Sequence, residues 1–377
     1  MHYPELFQTG GAVSRRMEDT LSGEPALKVV HVAPCLGGFG GMEAFTLRLT
    51  GEQARQGANA SILWKRVRNF RLQESLQQAM RTAVVKPEFV ARMSCGLLQG
   101  MRTAEIVHLH NPAPDAMAIA KMLRKPVVVT IYNHFGPGGR LHRLLWKAAA
   151  RMADRRWYIS DFVWSTWEHG QRVPGSGKMP VVSNLPTESV PPALRKGFVF
   201  VGRWIANKGI DHLVQAYGDA RIDRSRWPLT LVGCGPLEEK LKAYIRDRRI
   251  SGVSMPGFVD DDSRNCYIRA AKWMVTPPQT REDLGLTPIE SRHVGVPAII
   301  TRDGGLPEAA GSHCLSCEPG DVGALTLLLE KAAAMTEAEY EAISRATQAE
   351  LLHSLQPLSL YMERYREVIQ QHRVAKS

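Results

Sequence analysis

Short apolar runs separated by amphipathic stretches recur along the whole chain. Leu27–Ala33 is apolar and rich in β-branched residues, which predicts a strand, followed by a loop over Pro34–Gly41 and a helix over about Met42–Arg55. A second strand is expected at Ala58–Trp64, then polar helices near Leu72–Ala83 and Pro87–Met101. Strands at Ile106–His110 and Pro126–Tyr132 flank an Ala/Met-rich helix over Asp115–Leu123. Residues 184–197 (NLPTESVPPALRKG) break this pattern with prolines and read as a linker. The alternation restarts with strands at Phe198–Val201, Leu229–Val232, Val253–Met255, Trp273–Val275 and Pro297–Thr301, and the tail from Ala324 to Arg373 is nearly all helical. Short strands with helical crossovers imply parallel, doubly wound sheets.

The expected architecture is therefore α/β, with two Rossmann-like domains facing each other across a cleft. Residues 1–26 read as a flexible extension, 27–185 as the first domain, 186–197 as the linker and 198–355 as the second domain. Residues 356–377 form a last helix that crosses back to the first domain. Open parallel sheets bind ligands at the carboxyl ends of their strands, so both domains should point their strand-to-helix loops into the cleft.

A length of 377 residues suits two such domains, and 44% hydrophobic with 23% charged residues excludes a disordered chain. No run approaches the ~18–20 apolar residues of a membrane span. The polar first 26 residues are no secretory signal, and six scattered cysteines suit reduced thiols, so a cytoplasmic location is expected. The net charge of +11 is uneven: residues 1–190 carry +10 and residues 201–377 carry −1. Such asymmetry points to a polyanionic surface met by the first half only.

Three loops carry candidate chemistry. Pro34–Glu43 holds Gly37, Gly38, Gly40 and Gly41 between a strand and a helix, where glycines admit close approach of a phosphate and helix N–H groups receive it. A tight turn packing helix on strand is the competing account. Val201-Gly-Arg203 to Lys208-Gly-Ile-Asp places two cations at the mouth of another such loop, suited to a diphosphate, although either alone reads as a solvated surface charge. In Glu282-Asp-Leu-Gly285-Leu-Thr287-Pro288-Ile-Glu290, Gly285 lies in the loop and Pro288 suits the first helical turn. Glu290 alone is also explained by the helix dipole.

Together with Leu231–Leu237 (LVGCGPL), Pro256–Val259 (PGFV) and Gly304–Glu308 (GGLPE), these loops resemble the retaining glycosyltransferase family 4, of GT-B fold, in order from about Lys28 to Glu330. The resemblance implies that Gly40 and Gly41 approach the donor phosphates, while Arg203 and Lys208 hold the diphosphate. It implies that Glu282 binds sugar hydroxyls, that Asp283, Leu284, Gly285, Leu286 and Thr287 line the sugar and distal phosphate, and that Glu290 binds the ribose. Gly233, Gly235, Pro236, Phe258 and Val259 would lie near the base. On the acceptor side it implies His110, Asn111, Tyr132 and Asn133. Family members often carry a histidine where Tyr132 stands, so either His134 restores the imidazole or Tyr132 and Asn133 take its place.

The resemblance implies no cofactor beyond the nucleotide-sugar donor (GDP-mannose or a UDP-hexose) and no metal. Glu-Asp-Leu-Gly-Leu-Thr-Pro-Ile-Glu favours mannose, by likeness to bacterial GDP-mannose enzymes of O-antigen assembly. The acceptor would be a saccharide or lipid-linked saccharide of cell-surface polysaccharide or lipopolysaccharide synthesis. The rival functions are a nucleotide-sugar 2-epimerase of the same fold and a non-catalytic nucleotide-sugar-binding module. Asp260-Asp-Asp262 reads as a helix cap rather than a metal site, and Cys314-Leu-Ser-Cys317 as buried thiols. Of His31, His108 and His110, only His110 is expected to face the cleft. Arg140, Arg143, Lys147, Arg151 and Arg155 recur at helical spacing and, with Lys65, Arg66, Arg68 and Arg71, form either a peripheral surface for an anionic membrane or a solvated face. Nucleic acid is not expected as a partner, since no recognised motif accompanies the charge.

Overall fold

The computed structural model describes residues 26–375 except 68, 137, 183–184 and 187. The proposed extension up to residue 25, Arg68, and parts of the linker thus lie outside the described residues. Two parallel sheets organise the rest. The first contains β1 (Lys28–Cys35), β2 (Asn59–Arg66), β3 (Pro87–Val90), β4 (Ile106–His110), β5 (Val127–Ile131), β6 (Arg155–Tyr158) and β7 (Ser176–Lys178), in the order β3-β2-β1-β4-β5-β6-β7. The second contains β8 (Phe198–Val201), β9 (Leu229–Val232), β10 (Val253–Gly257), β11 (Trp273–Thr276), β12 (Ala298–Thr301) and β13 (Leu315–Cys317), in the order β10-β9-β8-β11-β12-β13. The winding reverses between β1 and β4 and again between β8 and β11. A crevice opens at each such reversal, and there the glycine loops after β1 and β8 begin.

Several elements differ from the expectation: the sequence pattern predicts neither β6 nor β7 as a strand, and two more differences lie at Pro87 and Arg155. Pro87 opens a strand, not a helix. It sits at the first position of an edge strand, where its missing N–H costs no ladder bond. The basic helix ends at Met152, and Arg155 lies on β6, paired with Val128 on β5. Asp154 fixes that boundary by accepting from the Val127 N–H at 2.7 Å and from Lys121 at 2.8 Å. Arg155 therefore leaves the stripe.

The last helix, Leu360–Val374, buries Tyr361, Met362, Tyr365, Val368 and Ile369, a single helical face. That face joins the apolar core around β1, β4 and β5, so the end of the chain completes the first half of the molecule. Arg195, at the end of the proline-rich segment, is buried and donates to the carbonyls of Val190, Val294 and Gly295. Among the described residues no helix is long and apolar enough to cross a membrane.

Candidate functional site

The two glycine-led helices meet across the cleft. Gly37 has φ +99°, and a Cβ there would lie 2.0 Å from the Arg71 carbonyl oxygen, so the turn after β1 demands glycine. Gly40 then caps the helix Gly41–Arg55 with no side-chain hydrogen bond. Gly285, at φ +94°, does the same for the helix Leu286–His293. Elsewhere Ser160, Asp260, Asp321 and Thr336 cap their helices through side chains. At Gly40 and Gly285, as at several other helices, the cap residue offers no side chain; the helix dipole favours an anion there, and at Gly40 the Glu43 carboxylate lies close by. The two loops touch: a Cβ on Gly41 would lie 3.0 Å from Leu286 Cδ1.

Beside them, Lys208 Nζ donates to Glu282 Oε2 at 2.6 Å, both side chains partly buried. Gly209 (φ +67°) allows this approach, because a Cβ would lie 1.8 Å from the Pro277 carbonyl oxygen. Arg203 is exposed and its side chain bonds to none of the described residues. Glu290 is buried, 3.6 Å from Arg264. Gly233 and Gly235 press against the backbone of Gly202–Trp204, where added Cβ atoms would lie 1.9 and 2.5 Å from the carbonyl oxygens of Gly202 and Trp204. Loop-on-loop packing thus accounts for both glycines. Pro236 follows in the same loop, while Phe258 is exposed and Val259 packs beside the β8 core.

Asp283 spans the cleft. Its Oδ1 accepts from the backbone N–H of His134 at 2.8 Å and lies 2.8 Å from His134 Nδ1, while Oδ2 accepts from Asn133 at 3.3 Å. The Asp283 carbonyl accepts from Ser160 Oγ at 2.6 Å. Leu284 is buried in the core of the first half. A second latch joins Glu308 to the Asp161 N–H at 2.7 Å and to Lys178 at 2.7 Å. Asn111 orders the loop after β5, donating to Asn133 and accepting from the Tyr132 N–H, both at 2.8 Å. His110 departs from the expectation that it faces the cleft. It is fully buried, because its ring bonds His31 at 3.0 Å and the Tyr132 hydroxyl at 2.7 Å.

A family model described as Glycosyltransferase Family 4 matches residues 39–184, and one described as Glycosyl transferases group 1 matches residues 185–349. The chain belongs to the family-4 glycosyltransferases. The O-antigen chain mannosyltransferase C of Escherichia coli is 31% identical over 103 residues, 27% of this chain and 26% of that one. The mannosyltransferase B of the same organism is 30% identical over 131 residues, 34% of each chain. The match thus spans only about a quarter to a third of these curated relatives. Among solved structures, Anabaena HepE in complex with UDP superposes with a TM-score of 0.72 at 14% identity, over 93% of this chain and 99% of that one. A glycosyltransferase of Rickettsia africae gives 0.74 at 15% identity, over 92% and 99%. These superpositions show the GT-B fold.

Within this glycosyltransferase fold, sequence reasoning overlooked Asp303, Ser160 and Lys178. Asp303 sits at the end of β12 with one buried, unpaired oxygen. Burial raises its pKa, against the opposing pull of Arg281. Its position one residue before Gly304-Gly305 was the only signal available. Asp260 caps its helix by accepting from the Ser263 N–H at 2.7 Å, and Asp261 pairs with Arg264 at 3.3 Å. Cys317 is a buried thiol whose pKa burial pushes up to about 11.

Proposed function

We propose that the protein transfers a hexosyl group, mannose favoured, from a nucleotide-sugar donor to a saccharide or lipid-linked acceptor in surface polysaccharide or lipopolysaccharide synthesis, with retention of configuration. The observation that carries this reading is the meeting of two uncapped helix N-termini, at Gly40 and Gly285, beside the Lys208–Glu282 pair. The amides and Lys208, with Arg203 free to swing in, neutralise the departing diphosphate. Glu282 orients sugar hydroxyls, and the acceptor hydroxyl attacks from the leaving-group face. Charge stabilisation of this kind needs no divalent cation and no protein nucleophile. Asp283 keeps His134 against the donor loop, which favours His134 over Tyr132 as the acceptor-side imidazole. GDP-mannose is the favoured donor by likeness of the Glu282–Glu290 loop to the mannosyltransferases, with a UDP-hexose the alternative. The exposed helix Arg140–Met152 supports work at the inner face of the plasma membrane.

Thermal-shift screening against nucleotide sugars identifies the donor, and product release from that donor then gives the rate. Lys208→Ala and Glu282→Ala each lower transfer by roughly two to three decades, ~3–4 kcal/mol in the transition state, with unchanged melting temperature. EDTA leaves the wild-type rate intact. Near wild-type turnover in either variant, or loss in EDTA restored by Mn²⁺, overturns the assignment.

A further inference from the structure

The core of the first half holds a polar cluster that the proposed reaction does not use. His31 on β1 and His108 and His110 on β4 are fully buried, and ring nitrogens of all three lie within 4.8 Å of one another. Three imidazoles are a common zinc donor set. Here, however, each ring nitrogen already has a protein partner at hydrogen-bond distance.

A neutral imidazole has one N–H and one bare nitrogen, so each bond dictates the next. The Gln53 amide N–H donates to the Tyr365 hydroxyl at 3.4 Å, so the proton of Tyr365 is left for His108. His108 Nε2–H therefore donates to Thr130 Oγ1 at 2.7 Å, and its bare Nδ1 accepts from the Tyr365 hydroxyl at 2.6 Å. Tyr365 accepts from the Gln53 amide at 3.4 Å, and Gln53 Oε1 accepts from His31 Nε2–H at 2.8 Å. His31 Nδ1 accepts from His110 Nε2–H at 3.0 Å, and His110 Nδ1 accepts from the Tyr132 hydroxyl at 2.7 Å. Thr46 lies 3.5 Å from the same nitrogen, but its proton goes to the Met42 carbonyl at 2.7 Å.

We propose that these side chains form one hydrogen-bonded chain of a single sense, in which Tyr365 of the last helix is a positioning residue for His110 and Tyr132. That Tyr132 lines the acceptor side rests on the transfer reading above. The chain itself does not. The Gln53 amide, donating to Tyr365 and accepting from His31, sets the tautomer of three histidines, and all three carry their proton on Nε2. The hydroxyl proton of Tyr132 is committed to His110, so Tyr132 has none to exchange with an acceptor.

The test is a long-range ¹H–¹⁵N correlation spectrum of histidine-labelled full-length protein at pH 7, with rings assigned by single His→Gln variants. His31, His108 and His110 should each appear as the neutral Nε2–H tautomer. Tyr365→Phe keeps the ring but removes the hydroxyl between Gln53 and His108. His108 and the distant His110 should then both show mixed tautomers, while the exposed His142 stays unchanged. Gln53→Leu, at the same junction of the chain, should release His110 in the same way and gives a second route if the first variant folds poorly. An Nδ1–H ring among the three in the wild type overturns the proposal. So does an unchanged His110 in both variants, or stoichiometric zinc found by elemental analysis. None of these signals depends on transfer, so the two readings fail separately.

Discussion

At the scale of single residues, burial of His31 links stability to pH. Loss of solvation lowers its pKa to about 4, partly opposed by the bond to Gln53, and His108 and His110 are also held well below the ordinary value, mainly by burial. Burial raises the tyrosine hydroxyls around them, Tyr132, Tyr361 and Tyr365, so these stay neutral. The unfolded chain takes up protons near pH 6.5, whereas folded His31 does so only near 4. Stability from this group is therefore complete above about pH 6.5 and declines as pH falls towards 4, by about 3 kcal/mol for His31 alone. The urea midpoint should drop between pH 7 and 5, and His31→Gln should flatten that slope. An equal slope in the variant would remove this account. The nearness of Lys208 and Glu282, now a pair at 2.6 Å, could be anticipated because both sit in glycine loops after strands, where packing gives little reason for a charge. The histidine network could not, since its partners Gln53 and Tyr365 lie on separate helices far along the chain.

At the scale of elements, strand alternation made both sheets readable, because parallel strands buried on two faces are apolar throughout. Short strands with atypical composition escaped: Pro87–Val90 begins with proline, Arg155–Tyr158 opens on two arginines, and Ser176–Lys178 has only three residues. The helix Arg140–Met152 shows a different limit. Its sequence is amphipathic, yet it buries only Ala149 and Ala150 and exposes Leu141 (70%), Leu144 (66%) and Met152 (50%). Arg143 turns back to the carbonyls of Gly136 and Gly138 and Lys147 lies over the Phe135 ring, leaving Arg140 and Arg151 exposed. Exposed leucines among cations match an interface in which acyl chains and anionic headgroups meet. Each cation near such a surface contributes up to about 1 kcal/mol, screened beyond a Debye length of about 8 Å. Co-sedimentation should show binding to phosphatidylglycerol vesicles, largely removed by roughly 0.5 M salt, and little binding to neutral vesicles. Leu141→Glu with Leu144→Glu should abolish it without altering donor binding. If the wild type ignores anionic vesicles at low salt, the helix is only a solvated face.

At the scale of the whole molecule, the cleft is held shut by few and mostly polar contacts: Asp283 with His134 and Asn133, Ser160 with the Asp283 carbonyl, and Glu308 with Asp161 and Lys178. Leu284 and Ala309 add buried apolar anchors, with Leu286 and Ile289 packed beside them. Lys178 and Glu308 are partly exposed, so their pair contributes at most about 1 kcal/mol after solvent screening. The hydrogen bond from the Asp161 N–H to a carboxylate adds a comparable amount. Offset by the freedom lost on closing, a closed state resting on such terms stands near balance with an open one, so removing one latch should shift the ratio towards open by about tenfold, the factor that ~1.4 kcal/mol carries. Glu308→Ala tests this, because it removes both bonds of one latch and leaves the Lys208–Glu282 pair in place. Small-angle scattering of the variant should show a larger radius of gyration than the wild type, and saturating donor should bring the two together. Donor affinity should fall about tenfold, since part of the binding energy now goes into closing the cleft. A variant that scatters like the wild type and binds donor equally well would mean that the Asp283 contacts and the apolar anchors around Leu284 and Ala309 keep the two sheets together without this latch.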